Sequence, residues 1–358
     1  MNKNPTQQAS LWRILDAASN RAAEGLRVAE DFVRFALDDA HLTREWKSLR
    51  HDLAGLVSRL DSACRHGSRS TRLDVGTEQT LPTEVHRDSL PAVFAASVAR
   101  AQQALRSLEE YGKLIDAALA GDFESLRYRS YTLAAAVVTT EASCRRLESA
   151  RLYVIVDGRS STQEFAQLVE TIYTAGTAIV QLRDKQLSDR ELVDRARGLV
   201  SISRRYGKLA IVNDRADIAA AVEADGVHLG QEELSVKDAR HVLGPKALIG
   251  VSTHSIEQAR EAVLDGANYL GVGPTFPSQT KTFRDFPGLE YVRQVAQEIS
   301  LPAFVIGGVT LEKLPEIQAA GLRRVAVSGA VLSAEDPAAA AEQFSTALGS
   351  DAAAAADS

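Results

Sequence analysis

Hydrophobic patterning divides the chain into two textures. From about Ser10 to Ala150 apolar residues recur at helical spacing. Leu11, Ile14, Leu15 and Ala18 fall on one face, and Leu26, Ala29, Phe32, Val33 and Ala36 continue that spacing. Leu53, Leu56, Val57 and Leu60 form another stripe. Between His66 and Ser89 the composition shifts to Gly, Ser, Thr, Asp and Pro, which predicts a loop-rich stretch. Val93–Ala118 and Leu126–Leu147 then read as further helices.

From Arg151 short runs rich in Val, Ile and Leu alternate with amphipathic helical stretches. Eight strands are predicted, at Leu152–Val156, Ala178–Leu182, Leu209–Val212, Gly226–Leu229, Ala247–Val251, Tyr269–Val272, Ala303–Ile306 and Arg324–Val327. Helical runs follow each, at Gln163–Ala175, Asp189–Arg205, Ala216–Val222, Val236–Val242, Ile256–Leu264, Leu289–Glu298, Leu311–Ala319 and Pro337–Leu348. Strands that alternate with helices make a parallel sheet. Eight such units in about 200 residues fit a closed barrel at the compact end of its range better than an open doubly wound sheet. The expected fold is α/β: a (β/α)₈ TIM barrel at 149–348, preceded by an all-α helical domain at 1–148 and followed by a disordered tail or frayed helix extension at 349–358.

The helical part contains a faint repeat. Gly25–Arg34 aligns with Ala104–Lys113, so that Arg27 matches Arg106, Glu30 matches Glu109 and Phe32 matches Tyr111. In each copy the Arg and the Glu are helical neighbours. Two accounts fit: separate amphipathic helices with solvated ion pairs, or a duplicated unit. If the copies pair in space, these four charges could share one buried or half-buried network.

Composition narrows the function classes. The 358 residues are 45% apolar and 25% charged, as in ordinary globular proteins. A formal net charge of -6 argues against a general nucleic-acid binder. Cys64 and Cys144 supply neither a disulfide framework nor a metal-ligand pattern. No run reaches membrane-spanning length, and the N-terminus lacks the apolar core of a signal peptide, so the cytoplasm is the expected compartment. The expected partners are small-molecule substrates, with no nucleic acid and no membrane, and the sequence leaves room for a homo-oligomer.

In a barrel, function gathers where strands end and helices begin. The polar residues unusual for a buried sheet fall there. Strand two ends in Gln181, Arg183, Asp184 and Lys185, strand three in Asn213-Asp214-Arg215, and strand five in Ser252-Thr253-His254-Ser255. After strand four comes Gly230-Gln-Glu-Glu233. After strand six, Gly271-Val-Gly-Pro-Thr-Phe-Pro-Ser-Gln-Thr-Lys281 is a Gly- and Pro-fixed loop ending in two hydroxyls, an amide and an ammonium. That set suits a phosphate or pyrophosphate, although an ordinary strand-to-helix connection has similar composition. Gly307-Gly308 and Val327-Ser328-Gly329 end strands seven and eight, where barrels often bind a small phosphate on backbone N–H groups. Asp214 and Glu233, among Arg183, Lys185 and Lys281, suit a Mg²⁺ ion that bridges to phosphate oxygens; the alternative is a helix cap at Asp214 and a solvated Glu233. His254 reads as a hydrogen-bonding wall residue.

These motifs together resemble the thiamine phosphate synthase family from about Arg151 to Leu348. The resemblance rests on Gln181-Leu-Arg-Asp-Lys185, Val212-Asn-Asp-Arg215, Gly226-Val-His-Leu-Gly-Gln-Glu-Glu-Leu234, Gly250-Val-Ser-Thr-His-Ser255, Gly271 to Lys281, Ile306-Gly-Gly-Val309 and Val327-Ser328. It implies that Gln181, Leu182, Arg183, Asp184, Lys185, Asn213, Ser252 and Lys281 hold hydroxymethylpyrimidine diphosphate. Asp214 and Glu233 would bind Mg²⁺ on that diphosphate. Ser278, Gln279, Thr280, Gly307, Val327 and Ser328 would hold the thiazole phosphate. Lys281, Arg183 and Lys185 would be catalytic, in a transferase of thiamine biosynthesis. The family usually has Asp where this chain has Glu233, one methylene longer. Other readings of the same barrel are a thiazole phosphate tautomerase, with His254 as its acid-base group, and a non-catalytic phosphate-ligand sensor. The first part resembles a helical domain fused ahead of such synthases, through Leu15-Asp-Ala-Ala-Ser-Asn-Arg21, Glu24-Gly-Leu-Arg27 and Leu105-Arg-Ser-Leu-Glu-Glu-Tyr111. That resemblance implies no chemistry.

Overall fold

The computed structural model of the chain describes residues 5–69, 86–277 and 287–349. The proposed tail and most of the His66–Ser89 loop lie outside the described residues. Two compact units divide between Val137 and Val138.

The first unit is helical. Helix α1 (Pro5–Phe32) runs on through one π-helical turn, Val33–Leu37, and stops where Asp38 adopts a left-handed φ of 54°. Asp39 then caps α2 (Ala40–Ser58), accepting from the Leu42 N–H at 2.7 Å. Asp61 caps α3 (Ser62–Gly67), and Ser89 caps α4 (Leu90–Gly112), whose first turn holds Pro91. The chain breaks after Gly112 and re-enters a helix at α5 (Ala117–Arg146), so the predicted stretches Val93–Ala118 and Leu126–Leu147 each shift at their ends. The apolar stripes form the core: Phe94 packs between Phe32 and Trp46, with ring centroids at 5.0 and 5.8 Å.

The repeat is visible in this core. Glu30 is 4% exposed and pairs with Arg27 of its own helix and with Arg50 of α2, at 3.6 and 2.6 Å. Glu109 is 3% exposed and pairs with Arg106 of its own helix and with Arg127 of α5, at 2.5 and 2.9 Å. Each buried glutamate thus draws its partners from its own helix and the helix after it. The four charges of the alignment form two nodes rather than one network.

The second unit is a closed barrel of eight parallel strands in sequence order. The strands are β1 (Leu152–Val156), β2 (Ile179–Leu182), β3 (Leu209–Asn213), β4 (Gly226–Leu229), β5 (Leu248–Thr253), β6 (Tyr269–Val272), β7 (Ala303–Ile306) and β8 (Val325–Val327). Asn213 and Ser252, read from sequence as following their strands, are strand residues. Every second residue points inward. Tyr153, Ile179, Ile211, Leu248, Tyr269, Phe304 and Ala326 fill the interior, and Leu147 and Ala150, just before β1, join that cluster. The end of α5 therefore belongs to the barrel, whereas the sequence reading divided the chain at 148/149.

Four serines start barrel helices. Ser161, Ser188, Ser235 and Ser255 cap α6 (Thr162–Thr174), α7 (Asp189–Tyr206), α9 (Val236–Leu243) and α10 (Ile256–Leu264), each accepting from the N–H three residues on. Helices α8 (Ala216–Ala221), α11 (Gly288–Glu298), α12 (Leu314–Ala319, after a 3₁₀ turn) and α14 (Pro337–Gly349) complete the ring. A four-residue helix, α13 (Gly329–Leu332), directly follows β8 and was not expected from sequence.

Candidate active site

The strand ends bring most of the expected residues to one mouth. Gln181 continues the inward phase of Ile179, is 2% exposed and donates to the Tyr153 hydroxyl at 2.7 Å. Tyr153 in turn lies 3.1 Å from the Tyr269 hydroxyl, and burial pushes both phenols up. Leu182 is out of phase with Gln181 and fully buried, so only its backbone faces the ladder. Arg183 is held by its N–H to Val156 O at 2.8 Å. Beyond it a cavity of about 620 Å³ opens, lined by Arg183, Asp184 and Lys185 from the β2 side and by Arg159, Ser160 and Glu164 from the β1 side.

Asp214 follows β3 with its N–H donating to His228 O at 2.8 Å, and its φ is 61°. Lys185 Nζ reaches its carboxylate at 3.7 Å. Burial and the charge of Glu233 push the Asp214 carboxyl up, and Lys185 and Arg183 offset part of this. The exposed Glu233 curls back over the end of β4, where a Cβ on Gly230 would lie 2.3 Å from its Oε2. Among the described residues no group of three or more His, Cys, Asp or Glu could hold a metal ion by itself. Two carboxylates that repel each other fit a hard cation that takes its remaining oxygens from water and substrate.

Ser252 on β5 lies 2.9 Å from His228 Nε2, and Gln231 Nε2 donates to Ser252 O at 2.5 Å. Burial and the charge of Arg183 bring the His228 imidazole down to about 4, so it is neutral at pH 7. Its Nδ1 is buried with no hydrogen-bond partner in the structure as described.

The loop after β6 leans on β7. Thr275 N–H donates to Ile306 O at 3.0 Å and Phe276 N–H to Gly307 O at 2.9 Å. Gly307 and Gly308 have φ of 95° and 63°, and a Cβ at Gly307 would meet Pro274 Cα at 2.8 Å. His254 Nδ1 lies 2.5 Å from Gly273 O, the wall contact expected of it. Val327 ends β8 and is buried, and the exposed Ser328 opens α13. Ser278, Gln279, Thr280 and Lys281 lie outside the described residues.

Sequence reading overlooked the loop after β1, which lines the mouth through Arg159, Ser160 and Glu164. It also passed over His228, a polar residue in the inward phase of β4, although that phase was legible in the motif beginning at Gly226.

Residues 152–331, which hold all eight strands and most of α13, match the family described as thiamine monophosphate synthase. A thiamine-phosphate synthase from Rhodopirellula baltica is 44% identical over 334 residues, covering 91% of this chain and 89% of that one. The chain belongs to the thiamine-phosphate synthase family. It is a transferase of thiamine biosynthesis. A thiamine-phosphate synthase from Gloeobacter violaceus is 42% identical and covers 92% of this chain and 95% of its own length. The solved thiamine phosphate pyrophosphorylase from Pyrococcus furiosus is 34% identical, with a TM-score of 0.51 over 56% of this chain and 96% of that one. The synthase family thus accounts for the barrel. Residues 13–136 match a second family, ThiD2, which covers nearly all of the helical unit. No helix among the described residues is long and apolar enough to cross a membrane.

Proposed function

We propose that the barrel joins the methylene carbon of hydroxymethylpyrimidine diphosphate to the ring nitrogen of a thiazole phosphate, either hydroxyethylthiazole phosphate or its carboxylated form, with release of pyrophosphate and, from the carboxylated form, of carbon dioxide. The observation that carries this reading is the meeting of Arg183, Lys185 and the Asp214–Glu233 carboxylates at one mouth. Gln181, Asn213 and Ser252 line the inner wall and hold the pyrimidine. Arg183 and Lys185, with Lys281, bind the diphosphate oxygens. Gly307, Val327 and Ser328, with Ser278, Gln279 and Thr280, take the thiazole phosphate on backbone N–H groups and hydroxyls.

The C–O bond to diphosphate breaks first, and its electron pair leaves with the diphosphate. The aminopyrimidine ring stabilises the methylene cation left behind. The thiazole nitrogen then supplies its lone pair to the new C–N bond, so no general base is needed. The cations of the mouth stabilise charge as it gathers on the leaving group, and the two walls hold the partners face to face. Asp214 and Glu233 would hold Mg²⁺, which when bound supplies further charge neutralisation at the diphosphate.

A tautomerase would not need Arg183, Lys185, Asn213 and Asp214 together, and the full metal and diphosphate set argues against a sensor. Pyrophosphate release from the two substrates with Mg²⁺ separates the synthase from the other two. Lys281→Ala is expected to cost about 2–4 kcal/mol in the barrier. Unchanged turnover with only weaker binding would remove Lys281 from the transition state.

A further inference from the structure

Asp184 lies between two cations of the mouth, yet its carboxylate is already engaged. Its Oδ2 accepts from Gly158 N–H at 3.0 Å, and its Oδ1 accepts from the N–H groups of Gln186 and Leu187 at 2.7 and 3.2 Å. Gly158 belongs to the loop after β1, so one carboxylate ties two active-site loops together. Arg195 of α7, 7% exposed, completes the tie from the other side. Its Nε donates to Gly158 O at 2.8 Å, and its Nη1 donates to the Thr162 hydroxyl at the start of α6. Gly158 is therefore held at both its N–H and its carbonyl. The loops are in contact here: a Cβ on Gly158 would lie 2.3 Å from Leu187 Cδ1.

We propose that Asp184 and Arg195 are positioning residues, a clamp that fixes the turn carrying Arg183 and Lys185 against the departing diphosphate. The inference rests on the reaction assigned above and changes the part of Asp184 from substrate ligand to scaffold. An anionic carboxylate aimed at a diphosphate would repel it, whereas one turned onto three backbone N–H groups has part of its charge offset by their dipoles. The clamp also explains how a long, 63% exposed lysine is aimed. Lys185 has Arg183 N–H anchored to β1 on one side and the Gln186 and Leu187 N–H groups anchored to Asp184 on the other. With the backbone fixed, only the side chain must be ordered to reach Asp214. Helix α7 is itself fixed at its start by the reciprocal Ser188–Glu191 box, so Arg195 has a rigid base.

The test uses the full chain with Asp184→Asn and Arg195→Lys. The amide keeps one acceptor for the turn but turns an NH₂ toward Gly158 N–H, and the lysine keeps the charge but loses the fork. Misaiming the cations is expected to lower kcat/KM for the pyrimidine diphosphate by about ten- to a hundredfold, while KM for the thiazole phosphate stays within about twofold. In the substrate-free protein, exchange of the Gly158 amide proton is expected to quicken at least about tenfold in Asp184→Asn. Unchanged constants for the pyrimidine diphosphate alongside a lowered Tm would overturn the proposal, as would an equal rise in KM for both substrates or unchanged exchange. No pyrophosphate release by the wild-type chain would instead sink the reaction, leaving the exchange result to judge the clamp.

Discussion

At Asp214 the backbone sits at φ 61°, a left-handed conformation that side chains with a Cβ avoid, and the charge of Glu233 pushes its carboxyl up. Strain and like charge therefore meet at the residue expected to hold the cation. Asp214→Gly is expected to be more stable than Asp214→Ala by about 1–2 kcal/mol, measured by urea denaturation, while both nearly abolish Mg²⁺-dependent pyrophosphate release. Glu233→Asp, in contrast, is expected to keep or improve the Mg²⁺ dependence. A Mg²⁺ titration in which Asp214→Ala keeps its affinity would move the metal site elsewhere. Asp184 contributes to the acid dependence. Burial pushes its carboxyl up, but the N–H groups of Gly158, Gln186 and Leu187 and the charge of Arg195 hold it below the usual range. A carboxyl held low in the folded state stabilises the fold above its unfolded value, near pH 3.9, and that stability is lost as pH falls through the folded value. Denaturation midpoints below about pH 4 should therefore fall more steeply for wild type than for Asp184→Asn. The chemistry of these positions was legible as polar residues at strand ends. What each carboxylate touches was not, because Gly158 and Glu233 meet Asp184 and Asp214 only through the closed barrel.

Among the elements, hydrophobic period carried most of the sequence signal. All eight strands were legible because short apolar runs sit between Gly-, Asn- and Ser-rich breaks. Helix α13 was not legible, since four residues are too few to show a period. The break after Gly112 was also hidden, because apolar residues continue across it at Leu114 and Ile115. The charges of the helical unit show why spacing alone could not settle the repeat. Arg27 and Arg106 are half exposed, but Arg127 is 7% exposed beside a glutamate that is 3% exposed, and it comes from another helix. Breaking that pair leaves a buried charge without its partner. Glu109→Ala is expected to cost about 3–5 kcal/mol, whereas Arg27→Ala at the exposed end of its pair should cost less than about 1 kcal/mol. Equal urea midpoints for the two variants would mean that Arg127 finds water instead.

At the scale of the whole molecule the boundary between the units is the testable feature. Every strand and every assigned site residue lies after Glu148, so the barrel alone is expected to fold and to release pyrophosphate. The structure shows what a cut at Glu148 would remove. Leu147 is fully buried in the barrel cluster, and Arg324 donates to its carbonyl at 3.3 Å. Ser143 accepts from Asn268 at 3.0 Å, Cys144 lies 3.2 Å from Ser300 O, and Arg146 donates to Lys246 O at 2.6 Å. Those contacts sit at the N-terminal ends of the strands, opposite the mouth, where they support stability rather than chemistry. Losing the Leu147 side chain from a packed cluster should cost on the order of 2–5 kcal/mol. A chain from Val138 is therefore expected to be more stable than one from Glu148 by that amount, in urea denaturation followed by circular dichroism. Once folded, both are expected to release pyrophosphate at the rate of the full chain, because the mouth is untouched. Equal stability would show that the end of α5 is dispensable to the barrel. A folded but inactive chain from Val138, restored by adding the helical part, would show that the two units make one catalyst.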